Sequence, residues 1–227
     1  LTRYQAGALE MLEFEPRTPA LLSGIALLQA LEQATAGLDS ARDETMLCDR
    51  AAKGFQTLTG FDRVMVYRFL EDGAGRVMGE ARHAGLVSFM NHHFPATDIP
   101  RQARALYLRN LIRIIPDSGY EPSPILSQGA EPGAIDMSDS VLRSVSPIHL
   151  EYLRNMGVGA SASVSVVIDG GLWGLVALHN LTPRHMPNET RAVCRMLAAV
   201  LARRLKHFAD VRLHTARTRL TAAREAM

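Results

Sequence analysis

Three stretches of this chain concentrate side chains able to bind a ligand or move a proton: FPATDIPRQARALYLRN at 94–110, RSVSPIHLEYLRNMG at 143–157 and LWGLVALHN at 172–180. In the first, Ile99 precedes Pro100 and is biased to extended conformations, so Asp98 lies outside the following helix with its main-chain carbonyl free to meet a ligand. The positive end of that helix favours its carboxylate. His149 and His179 carry imidazoles that accept or donate near neutral pH. Arg113 and Arg143 present planar forks suited to a carboxylate, and Tyr107, Ser146, Ser161 and Ser163 are smaller hydroxyl donors. Tyr67, Phe94 and Tyr152 offer large walls with few rotamers. A tyrosine hydroxyl buried without a partner costs roughly 1 to 3 kcal/mol, which favours a polar ligand or network beside them.

Other chemistries lose support on the same residues. Asp98 and His149 have no activated nucleophile with them, so hydrolytic or acid–base catalysis is disfavoured and the chain does not read as an enzyme. GxGxxG and GxxxxGK signatures are absent, which removes the usual warrant for nucleotide binding. His92 and His93 are adjacent, and adjacent residues diverge on a strand, so no metal is expected. Cys48 and Cys194 are the two cysteines; they form no disulfide framework or zinc pattern and read as buried small hydrophobes in a reducing cytoplasm. A net charge of +2 gives no nucleic-acid footprint, and no apolar run approaches the roughly 20 residues of a membrane span. The chain opens on Leu1 with no signal segment and reads as an internal fragment of a longer protein.

The elements that must position these residues follow from periodicity and punctuation. LEMLEFEP alternates Leu12 and Phe14 with Glu13 and Glu15 and reads as a short strand ending at Pro16. Thr18-Pro19 then starts a helix with Leu21, Leu22, Ile25, Leu28 and Leu31 on its inner face. Gly37 interrupts it, and Ser40 with Asp43 starts a second helix that turns Leu47, Ala51, Phe55 and Leu58 inward and ends at Gly60. Strands at 63–69 and 77–82 flank the turn EDGAG, with Val64 and Val66 on one face and Met65, Tyr67 and Phe69 on the other. Pro100 opens a short helix through Leu111, and residues 112–115 suit a buried strand. Residues 116–139 hold four prolines and three glycines, too many for a continuous element, and read as a long structured loop. Strands at 161–168 and 172–179 form a hairpin on Asp169-Gly170-Gly171. A three-residue turn there puts Ser161 and His179 on one face, whereas a two-residue turn separates them. From Asn188 one long helix carries Cys194, Leu197, Leu201, Phe208 and Val211 on a seam broken by Arg204. That helix either covers the sheet or pairs with a second copy of the chain.

The three motifs, in this order and at these spacings, resemble the bilin-binding domain of phytochromes across residues 47–187. The resemblance implies an α+β fold with a GAF-type antiparallel sheet flanked by helices and a long C-terminal helix. It divides the chain into 1–18, the terminal strand of an incomplete PAS domain; 19–187, the GAF chromophore-binding domain; and 188–227, a helix leading toward a PHY domain and a dimer interface. It implies biliverdin or a related linear tetrapyrrole as cofactor. The Asp98 carbonyl and His149 would serve the central pyrroles, with Ile99 beside them. His179 would serve the ring D carbonyl, Tyr67, Phe94 and Tyr152 would enclose ring D, and Arg113 and Arg143 would clamp the propionates with Tyr107, Ser146, Ser161 and Ser163 nearby. The family's Ala-Cys-His-His is here Ala177-Leu178-His179-Asn180, which keeps the first histidine and alters the ring D surroundings. Ile148 stands where plant-like and cyanobacterial members carry the bilin-linking cysteine, so the pocket resembles the bacteriophytochromes, whose cysteine lies upstream of the PAS domain. The implied function is a red/far-red light receptor, signalling by Z/E isomerisation at ring D to a PHY domain and an output domain, often a histidine kinase, in a cytoplasmic homodimer. A GAF module that has lost bilin and serves dimerisation or another small ligand is the alternative.

Overall fold

A left-handed glycine turns the first two strands back on each other. Gly7 (φ +61°) joins β1 (Thr2–Ala6) to β2 (Leu9–Glu13), which pair antiparallel with Ala6 opposite Leu9. The computed structural model describes residues 1–16, 18–99, 101–126, 128 and 135–225, positions 101 and 102 by backbone alone. The single N-terminal strand expected from LEMLEFEP is therefore one arm of a hairpin. On it the charged residue is the buried one: Glu13 is 6% exposed, whereas Leu12 is 51% and Phe14 72% exposed.

The first helix departs from expectation in both its start and its buried face. α1 (Gly24–Asp39) begins after Ser23, beyond Thr18-Pro19, and runs through Gly37 without a break. Of the expected inner face, Leu22 and Leu31 pack partly buried against the core, Leu21, Ile25 and Leu28 are exposed, and Leu27, Ala30 and Leu38 are buried in their place. Small residues decide this. A Cβ on Gly54 of α2 (Glu44–Thr59) would stand 3.0 Å from the Ala34 Cβ, so the helices meet along their alanine and glycine side, where backbones approach most closely. α2 itself follows the sequence pattern: the Asp43 carboxylate accepts from the Met46 amide at 2.7 Å, Gly60 ends the helix at φ +66°, and Leu47, Ala51, Phe55 and Leu58 are buried. Ser40 takes no part in that N-terminal cap.

The main sheet has the order β5-β4-β3-β8-β7-β6, with every neighbouring pair antiparallel. Its strands are β3 (Arg63–Phe69), β4 (Gly75–Arg82), β5 (His93–Phe94), β6 (Ile112–Ile115), β7 (Ala160–Ile168) and β8 (Gly171–Asn180). One face presents Val64, Val66, Val164, Val176 and Leu178 to the core, against α2 and the first half of α5 (Asn188–Glu225), with α1 packed across both helices. Cys48, Cys194, Leu197, Leu201 and Leu205 sit in that core. α5 thus covers the sheet down to Leu205, and Val211 beyond it is 49% exposed.

The opposite face carries α3 (Arg101–Arg109), α4 (Pro147–Asn155) and the connections around them. α3 stops two residues short of Leu111: the Tyr107 carbonyl, which the Leu111 amide would need in a longer helix, accepts from Ser165 Oγ of β7 at 2.7 Å. Pro100, expected to open α3, and positions 127 and 129–134 of the 116–139 loop lie outside the described residues. The described part of that loop contains no helix or strand.

Candidate ligand-binding site

Strand alternation places most of the candidate residues on the face of the sheet turned away from the core. Across β3, β8, β7 and β6, Arg63, His179, Ser161 and Ile115 lie opposite one another in one row, and Met65, Ala177, Ser163 and Arg113 in the next. Tyr67 follows along β3 on the same face. The turn between β7 and β8 has two residues, Asp169 and Gly170, both at positive φ (50° and 76°), the geometry of a tight hairpin. By the turn alone Ser161 and His179 would separate. They stand directly opposite because the register shifts between Val166 and Val167: Trp173 is one extra residue on β8, and this bulge restores the alignment.

The aromatic side of the site forms around Tyr67. Its ring meets Phe69 edge-on at 5.3 Å and Phe94 at 5.9 Å, and Met65, Val77, Phe89, Met90, Ile99 and Ala177 complete the cluster. A Cβ on Gly75 would fall 1.7 Å from the Tyr67 Cζ, so only glycine leaves room for this ring. Arg104, which sequence reading missed, fastens the cluster to α3. Its Nε donates to the Ile99 carbonyl at 2.9 Å, its Nη2 donates to the Gly73 carbonyl, and its guanidinium lies 4.4 Å from the Phe69 centroid. Nothing in its spacing singles Arg104 out from the neighbouring arginines.

α4 brings His149 and Tyr152 to the same side, their rings stacked at 6.1 Å and 15°. The Tyr152 hydroxyl donates to the Asp98 carboxylate at 3.4 Å. Burial and then the nearby Asp98 charge push both Tyr67 and Tyr152 up to about 12, so both are neutral phenols at neutral pH. Burial and then Arg113 hold His149 below its ordinary value. Burial, Arg63 and His149, in that order, lower His179 to about 4. The His179 Nδ1 is buried without a hydrogen-bond partner among the described residues, a costly arrangement for a polar atom.

The cationic side is built on β6 and the residues before α4. Arg113 donates from Nη1 to the Val141 carbonyl at 2.9 Å and from Nη2 to the Arg143 carbonyl at 2.7 Å, and Arg143 donates from Nη1 to the Ser140 carbonyl at 2.6 Å. Burial and then the Arg143 charge bring Arg113 down to about 10. Tyr107 is pushed up by burial, with the Ser163 hydroxyl acting in the opposite direction. Ser146 stands exposed before α4, and Ile148 is 79% exposed on that helix. The sequence also gave no sign of Glu13 and Glu15 as anchors. Ser140 Oγ and the amides of Val141 (3.1 Å) and Leu142 (2.8 Å) donate to Glu13, and Arg191 of α5 donates two bonds of 2.6 Å to Glu15.

With this geometry in view, similarity to known proteins becomes specific. The GAF domain family matches residues 43–205. The crystal structure of the chromophore-binding domain of an unusual bacteriophytochrome from R. palustris superposes with a TM-score of 0.86 at 40% identity, covering 93% of this chain and 70% of that one. The chain belongs to the GAF domains of the bacteriophytochrome family. A bacteriophytochrome of Xanthomonas campestris pv. campestris is 44% identical to this GAF domain over 204 residues, 86% of this chain and 31% of that protein. One from Pseudomonas aeruginosa is 43% identical over 183 residues, 79% of this chain and 25% of that protein. The GAF chain therefore spans less than a third of the length of these curated relatives.

Proposed function

We propose that this GAF domain is the bilin-holding module of a red-light photoreceptor, with biliverdin or a related linear tetrapyrrole on the non-core face of the sheet. The observation that carries the reading is the buried His179 Nδ1 without a protein partner among the described residues. It lies in the same face as an aromatic cluster at one end and two mutually repelling arginines at the other. A flat ligand with polar ends and two carboxylates satisfies all three features at once. The bound tetrapyrrole would supply light absorption and isomerisation of the double bond beside its ring D.

The chain's own residues would do the rest. Arg113 and Arg143 hold the carboxylates, with Tyr107, Ser146, Ser161 and Ser163 as neighbouring hydroxyls. Asp98, Ile99 and His149 border the central rings, while Tyr67, Phe94, Tyr152 and His179 border ring D. The neutral His179 is ready to hydrogen-bond a carbonyl. The stacked pair of His149 and Tyr152 forms one wall able to readjust when the ring turns. In this reading residues 1–18 end a PAS domain, 19–187 are the photosensory GAF domain, and 188–227 lead toward a PHY domain. The signal passes to PHY and output domains of the longer protein, a cytoplasmic homodimer in which any kinase activity lies outside this chain.

The test is to mix the chain with biliverdin and record a spectrum. A red absorption band that changes on red illumination is the expected result. No band above that of free pigment would overturn the reading in favour of a GAF module without bilin.

A further inference from the structure

Resting on the bilin reading above, we propose that Glu13 is a positioning residue for ligand carboxylates, setting the two arginines through the turn at 140–143. Glu13 lies on the N-terminal hairpin, far in sequence from the site, yet it is 6% exposed and accepts from Ser140 Oγ, the Val141 amide at 3.1 Å and the Leu142 amide at 2.8 Å. The carbonyls of the same turn face the other way. Those of Ser140, Val141 and Arg143 accept from Arg143 Nη1, Arg113 Nη1 and Arg113 Nη2. One carboxylate therefore fixes the amide side of a turn whose carbonyl side fixes both guanidinium groups. Peptide dipoles in such a chain reinforce one another, so the N–H side pinned by an anion leaves the C=O side a better acceptor for a cation. The Glu13 charge also acts on Arg113 and Arg143 directly, which eases their mutual repulsion.

Glu13 touches no ligand in this arrangement, so a loss of affinity alone would not separate positioning from general damage. Comparing biliverdin with its dimethyl ester does, because the ester keeps the ring system and removes the two charges. Affinities would be measured by absorbance titration for the unaltered chain, Glu13→Ala and Ser140→Ala. The unaltered chain should prefer the free acid, and Glu13→Ala should shrink that preference by on the order of tenfold while ester affinity holds. Ser140→Ala removes one donor and keeps both amides, so a smaller fall in the same preference is expected; it serves alone if Glu13→Ala does not fold. An unchanged or larger preference in the variants overturns the proposal and leaves the bilin reading standing. An unaltered chain that binds neither compound overturns the bilin reading, and one that binds both equally overturns the role of the arginines.

Discussion

Acid should reveal what it costs the fold to keep His179 neutral. Burial, then Arg63 and His149, hold its imidazole down from 6.5 to about 4. Between those values the unfolded chain takes up a proton that the folded chain refuses, so stability falls as pH falls. A difference of about 2.5 pH units at 1.36 kcal/mol each amounts to about 3 kcal/mol below pH 4, of which about 2 kcal/mol accrues between pH 7 and pH 5. His179→Gln keeps a polar side chain and cannot titrate. Urea unfolding of both proteins at pH 5, 6 and 7 isolates the effect, because every carboxylate titrates equally in the two and cancels in the difference. The unaltered chain should lose about 2 kcal/mol more than the variant from pH 7 to pH 5, or about 4 to 8 °C in melting temperature. Parallel stability curves would refute the argument and show that the imidazole is solvated in the folded chain.

Three further outcomes are expected. Arg191 and Glu15 pair at 2.6 Å with side chains only 3% and 12% exposed, so Arg191→Met should cost about 3 to 5 kcal/mol in urea unfolding. The double change Glu15→Gln with Arg191→Met should recover part of that, and no recovery would contradict a stranded carboxylate as the cause. Gly75→Ala must displace the Tyr67 ring and should destabilise by about 1 to 3 kcal/mol, with a changed near-ultraviolet aromatic signal; an unaltered signal would show that the strand moves instead. Cys48 and Cys194 are fully buried, and burial pushes both thiols up to about 12. Both should therefore resist a thiol reagent at pH 8 until urea is added, and acid denaturation should release all bound biliverdin; pigment retained on the polypeptide would point to one of these thiols.

Where local pattern and burial coincide, the sequence is a sufficient guide. α2 shows this with Asp43, its inward Leu47, Ala51, Phe55 and Leu58, and Gly60, as does the two-sided β3 with its valines toward the core and Tyr67 away from it. Elsewhere longer-range packing overrides the pattern. α1 has leucines around most of its circumference, and the fit of Ala34 against Gly54 chooses the buried side. Glu13 and Glu15 look like the wet face of a strand until their partners at 140–142 and 191 are known, more than a hundred residues on. The facing of Ser161 and His179 depends on Trp173 bulging from β8, and no turn signal carries that information. The candidate side chains can be picked out one by one, while the devices that gather them, Arg104, Glu13 and the bulge, cannot, because each acts largely through backbone atoms.

α5 has 38 residues, and its packing ends near Phe208. Lys206 bonds Asp169 of the β7–β8 turn at 2.6 Å, and Arg212 bonds Glu44 at the start of α2 at 2.8 Å. The fulcrum of the helix is thus fixed at two places, one on the hairpin that carries His179 and one on the core layer. Beyond the fulcrum, residues 213–225 form an arm about 20 Å long. A tilt of about 5° at its base sweeps the far end through nearly 2 Å by the same helical geometry. An arm of this length turns a shift too small to disturb side-chain packing in the sheet into a displacement on the scale of a hydrogen bond at its tip.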